Sequence, residues 1–157
     1  MWELFQHAEW VTTLAVSRPL YGLVSVVHYS AVFLCVGTIV LLDLRILGLA
    51  DRHAALSAVA EQLRPWTWIG LGCVVVSGLL LFATQAAGFA AATPFRLKML
   101  IVVLAVCSAL AVEARVPTWE RAPVMPITAR VAALISIVLW VGVLLVSLEI
   151  PALTGLG

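Results

Sequence analysis

Four stretches of this chain stay apolar over lengths that match the thickness of a bilayer, and they constrain the fold more than any other feature. They cover residues 20–42, 66–85, 97–113 and 131–149. Crossing the hydrocarbon core takes about 20 mostly apolar residues, and a helix satisfies all of its backbone hydrogen bonds within the segment. The third stretch is the shortest, so its Phe95 and Lys98 end reaches toward the interface. Composition agrees with this reading. Of 157 residues, 64% are hydrophobic and 11% charged, with mean hydropathy +1.15, whereas a soluble domain carries roughly 25% charged residues. Too little polar surface remains for a water-soluble enzyme or a disordered regulator. A net charge of +1 with no basic cluster excludes a nucleic-acid partner. Three cysteines without a CxxC pair exclude a disulfide framework or a zinc ribbon. The expected fold is all-α, an integral membrane four-helix bundle forming one domain over residues 1–157.

Residues 1–17 precede the first span and read differently. At 100° per residue Leu4, Phe5, Ala8, Val11 and Ala15 share an arc, opposite Glu3, Gln6, His7, Glu9 and Thr13. That pattern predicts an amphipathic helix lying in the interface, with Trp2 and Trp10 near the headgroups. It is not a signal peptide, since it lacks a basic start and carries two glutamates. Pro65 and Pro94 fit the first turns of the second and third spans, and Thr93 fits a cap. Asp51 is expected to cap a short helix over residues 52–63. The connection holding Pro117, Pro123 and Pro126 is expected to be irregular.

Arginine and lysine counts orient the bundle. The first and third connections hold Arg45, Arg52, Arg64, Arg115, Arg121 and Arg130, against Arg18, Arg96 and Lys98 on the other side. The excess predicts that those connections are cytoplasmic and both termini periplasmic.

An ionisable group inside a span is a functional candidate, because burying it in lipid is costly. His28 lies about 12 Å along the first helix from Leu20, at 1.5 Å per residue. Its seam includes Ser25, Val32, Cys35 and Ile39, small or polar enough to face other helices. The imidazole fits an axial haem ligand, a proton relay or a metal ligand. It equally fits a neutral ring bonded to a neighbouring helix as packing glue. A six-coordinate haem b needs a second ligand at similar depth. His7 and His53 lie outside the spans, which leaves Met99 as the alternative. Cys35, Cys73 and Cys107 sit at similar depths on three helices and could form a soft site for Cu(I). They equally fit small buried hydrophobes. Among the charges, Asp43 or Glu113 is expected to pair with arginines at the Arg45 end, and Glu149 with Lys98 or Arg96. These pairs would lock helix register. Gly70, Cys73 and Ser77, beside Gly78, form a small-residue packing seam. Trp66, Trp68, Trp119 and Trp140 read as belt or lipid-facing residues.

Leu42-Asp43-Leu44-Arg45-Ile46-Leu47-Gly48 and Phe95-Arg96-Leu97-Lys98 give the strings LDLRxLG and FRLK in an otherwise generic apolar sequence. With His28, Leu63-Arg64-Pro65-Trp66 and the run from Ser77 to Ala83, they resemble an uncharacterised family of bacterial four-helix inner-membrane proteins, a domain of unknown function. The layout is more distantly similar to the membrane domains of copper-resistance D-type proteins and small b-type cytochromes. The resemblance implies a fold and an inner-membrane location but no activity.

The reading that follows is a non-enzymatic membrane subunit or scaffold, partnered by lipid, by a membrane or redox subunit, or by further copies of itself. One alternative is a haem b- or quinone-linked electron-transfer anchor using His28. Another is a small transporter or copper-handling protein using the three thiols.

Overall fold

The computed structural model describes residues 8–50 and 53–154, with side chains through Ser147. Among the described residues six helices follow in order: α1 (Glu9–Val16), α2 (Arg18–Leu47), α3 (Leu56–Thr84), α4 (Ala86–Ala91), α5 (Thr93–Glu120) and α6 (Ile127–Thr154). The long four are each long and apolar enough to cross a membrane. The chain is therefore a multi-pass membrane protein of all-α architecture, and no strand occurs among the described residues.

Each helix break has a local cause. Ser17 is extended between α1 and α2, just before Arg18-Pro19. Proline lacks an N–H and clashes with the preceding turn, so α1 cannot run on through it. Gly48 ends α2 with φ of 77°, a left-handed conformation that suits a residue without Cβ. The Leu49 N–H reaches back to the Leu44 carbonyl at 2.9 Å, closing the helix. Arg45 then donates to the Ala54 carbonyl at 2.6 Å and fixes the return of the chain. Opposite this turn, Phe82, Phe89 and Phe95 stack around α4, with centroids 5.2–6.4 Å apart.

The helices run further than the apolar windows predict. Pro65 lies well inside α3, not at its first turn. The short helix expected over residues 52–63 is the opening of α3 itself, while Asp51 and Arg52 lie outside the described residues. Pro117 likewise sits inside α5, which shrinks the expected irregular connection to residues 121–126. Hydropathy marks only the hydrocarbon-facing part, whereas backbone hydrogen bonding carries a helix on into the interface. Thr93 makes no capping bond, because it is already helical and Ala92 holds the cap position. In α1, Val11 and Leu14 are buried while Ala15 is exposed. That face packs on α2 and α3. Residues 1–7 of the predicted interfacial helix lie outside the described part.

Packing is tightest between α2 and α3, then between α5 and α6, and α2–α6 contacts join the two pairs. The α2–α3 pair is antiparallel: His28 meets Ser77, Cys35 meets Gly70 and Thr38 meets Thr67. A Cβ on Gly70 would stand 2.9 Å from the Cys35 nitrogen, so glycine is what allows the backbones to touch. Two apolar clusters hold the bundle. One lies at the Arg45 end around Ile46, Leu56, Val112 and Trp119. The other lies mid-bundle around Cys35, Ile39, Ala105 and Trp140. Trp119 and Trp140 are thus core residues, contrary to the lipid-facing expectation, whereas Trp66 and Trp68 are exposed.

Candidate functional site

Two polar sites lie along α2. The first is built on His28, whose Nδ1 stands 3.0 Å from the Ser77 hydroxyl. Ser77 donates its own proton to the Cys73 carbonyl one turn back, so towards His28 the hydroxyl is an acceptor. Nδ1 therefore carries the proton and Nε2 presents a lone pair. Gly78 makes room for the ring: a Cβ there would meet His28 Cε1 at 3.2 Å. Lys98 of α5 lies within electrostatic reach of the imidazole. Met99, next to it in sequence, faces outward with 44% exposure. The structure therefore brings Lys98, not Met99, toward His28.

The expected seam is otherwise present. Cys35 and Ile39 are buried, Gly70 faces Cys35 and Ser77 faces His28, while Cys73, expected on the same face of α3, is exposed. The three cysteines are not brought together, since Cys35 is buried while Cys73 and Cys107 are exposed. Among the described residues no three His, Cys, Asp or Glu side chains are placed to hold one metal ion.

The second site lies two to four turns closer to the Arg45 end. Asp43 is completely buried, and neither carboxyl oxygen has a hydrogen-bond partner among the described residues. Ser136 of α6, also completely buried, is the polar side chain that acts on it. Its hydroxyl does not reach hydrogen-bond geometry either. Asp43 also walls a cleft with Thr38, Thr67, Arg64 and Glu113. Thr67 donates to Thr38 at 2.8 Å across α2 and α3, and Thr38 is bonded in turn to the Cys35 carbonyl at 2.9 Å. Arg64 and Glu113 form an ion pair between α3 and α5 at the outer edge, with side chains 52% and 19% exposed.

The expected pairing of carboxylates with arginines thus holds for Glu113 and not for Asp43. Asp43 points into the bundle, whereas the nearby Arg45 turns to the Ala54 carbonyl. Arg96 similarly bonds the Ala90 carbonyl at 2.9 Å, and the Glu149 side chain lies outside the described residues. Sequence reading missed Ser136, although it is the lone hydroxyl of α6 between Thr128 and Ser147. It also missed Glu120, whose carboxylate accepts the Ser57 N–H at 3.2 Å and so caps α3 from the end of α5.

No curated protein and no solved structure matches this chain. Its sequence pattern over residues 13–150 does match one family, described as a family of unknown function, DUF6644. That match takes in α2, α3, α4 and α5 entire, with His28, Asp43 and Ser136 inside it, so the chain belongs to this family of unknown function.

Proposed function

We propose that this chain is a membrane subunit or scaffold of the bacterial inner membrane, with the Arg45 end cytoplasmic and both termini periplasmic. The observation that carries this reading is the commitment of His28 to Ser77 across the tightest helix pair. The ring is used to fix α2 against α3, as Thr38–Thr67 is, and Arg64–Glu113 fixes α3 against α5 in its turn. Interhelical polar bonds of this kind set register in lipid, where hydrophobicity does not drive one helix onto another. Purification from native membranes in a mild detergent tests the reading. A fixed partner or a defined oligomer is expected, and a monodisperse monomer with no partner would overturn it.

A second reading, haem b ligation, draws support from one detail. A hydrogen bond fixing Nδ1–H and leaving Nε2 bare is the arrangement of a ligating imidazole. Against it stand the Lys98 ammonium, which disfavours a second cation nearby, and the outward turn of Met99. This reading predicts a Soret band that disappears in His28→Ala.

A further inference from the structure

Among the described residues Asp43, Ser136 and Trp140 carry buried side-chain polar atoms with no partner, and Asp43 is the acidic one, whose burial the scaffold reading leaves unexplained. An ionised carboxylate without a counter-charge is among the costliest groups to bury. Register could be held by an apolar residue, or by a hydroxyl such as Thr38 uses. Here a carboxyl with both oxygens unbonded meets a serine with its hydroxyl unbonded, both fully buried. Native interiors leave few polar groups unmatched, and each such group points to something missing.

We propose that Asp43 and Ser136 form a binding site for a small monovalent cation, a proton or a sodium ion, that reaches Asp43 along the cleft. Charge fixes the valence. One carboxylate balances one positive charge, and no second acidic side chain shares the site: Glu113, which also lines the cleft, is already paired with Arg64. Arg64 and Glu113 are the charged groups facing the cleft from α3 and α5. Their pairing leaves the entrance neutral, so Arg64 does not repel an arriving cation.

The cleft has room for water to carry the ion. It offers roughly 30 Å³ to the centres of water molecules, and about 10–15 Å³ by this measure holds one. The Thr67–Thr38 hydroxyl pair lines the same cleft with oxygen. If the ion is a proton, it adds to a carboxylate oxygen of Asp43 and the new O–H donates to Ser136. On release it returns to cleft water. If the ion is sodium, the same oxygens coordinate it and no covalent bond changes. Occupied, the site is neutral. Empty, it leaves a bare carboxylate at the α2–α6 contact, so occupancy bears on how the two helix pairs join.

The test is infrared difference spectroscopy of the full chain in lipid, titrated with pH at several sodium concentrations, with choline as the control ion. Wild type is expected to show a carboxyl C=O band that titrates and is absent from Asp43→Asn, which keeps the shape and removes the charge. A midpoint that falls by about one pH unit for each tenfold rise in sodium, the slope of one-for-one competition, identifies sodium as an occupant. A midpoint indifferent to sodium identifies the proton alone. Wild-type and Asp43→Asn spectra that superimpose at every pH and sodium level would overturn the proposal. Ser136→Ala provides a second arm that does not touch the carboxyl. It should move the midpoint, and an unchanged midpoint would remove Ser136 and with it the site as drawn. Neither result depends on whether the chain has a partner.

Discussion

Replacing Gly70 with alanine is the sharpest test of the α2–α3 seam. The added methyl would stand 2.9 Å from the Cys35 nitrogen, 3.0 Å from its Cβ and 3.1 Å from its Cα. All three belong to backbone or to a Cβ, so no side chain can rotate away. Non-bonded carbon contacts settle near 3.5–4.0 Å, so the helices must part by roughly 0.5 Å or more. A gap of that size forfeits about a quarter to a half of the dispersion attraction for each atom pair across the seam. It also strains the Thr67–Thr38 bond one turn away and the His28–Ser77 bond two turns away. Overpacking of this kind costs typically about 1–3 kcal/mol. Alanine returns up to ~1 kcal/mol through its better helix propensity. The net expectation is a loss of up to about 2 kcal/mol from those two terms. Gly72, two residues on, supplies the control: nothing lies within 4 Å of a Cβ there. Gly72→Ala collects the propensity gain without the clash and should be neutral or mildly stabilising. Gly78→Ala should fall between, since its Cβ meets only the edge of the His28 ring, at 3.2 Å. Reversible unfolding in mixed detergent micelles, or thermal unfolding by circular dichroism, would rank the three. If Gly70→Ala proves as stable as Gly72→Ala, the close approach is not what holds α2 on α3.

Two further perturbations separate structural roles along the bundle. A double-mutant cycle with His28→Asn and Ser77→Ala should return a coupling of about 0.5–1 kcal/mol, the usual size of an interhelical bond in lipid; unfolding titrations measure it, and a coupling of zero removes the bond from the account. Trp119→Ala should cost about 3–5 kcal/mol, as emptying a core aromatic site does. Trp66→Ala, at an exposed position, should change stability by no more than about 0.5 kcal/mol. Equal losses for the two tryptophans would contradict the core assignment of Trp119.

The number of spans could be read from the sequence, because length and hydropathy report it directly. The faces of the helices could not. An amphipathic helix in water announces its buried side by period, but a helix apolar all round carries no such signal. Cys35, Cys73 and Cys107 illustrate the loss: all three were read as one inward-facing layer, yet only Cys35 turns inward. Trp119 and Trp140 were read as belt or lipid-facing residues for the same reason, and they lie in the core. Small and polar residues did better. Gly70, Ser77 and His28 were legible as a seam because lipid tolerates few reasons for placing them mid-span. Asp43 fell between. Its charge suggested an arginine partner, but the rotation of α2 aims it at Ser136 instead, and a single serine in an apolar run gives little warning. Helix ends were drawn short at Pro65 and Pro117, where the interface lets a helix accommodate a proline that the hydrocarbon window takes for a boundary.

The central claim is that His28 is a structural fastener between α2 and α3. It is tested most directly by a reduced-minus-oxidised visible spectrum of the purified protein, with iron counted on the same sample. The account predicts no Soret band and no stoichiometric iron, with His28→Ala spectrally identical to wild type. A Soret band with one iron per chain that vanishes in His28→Ala would make His28 a haem ligand and contradict it.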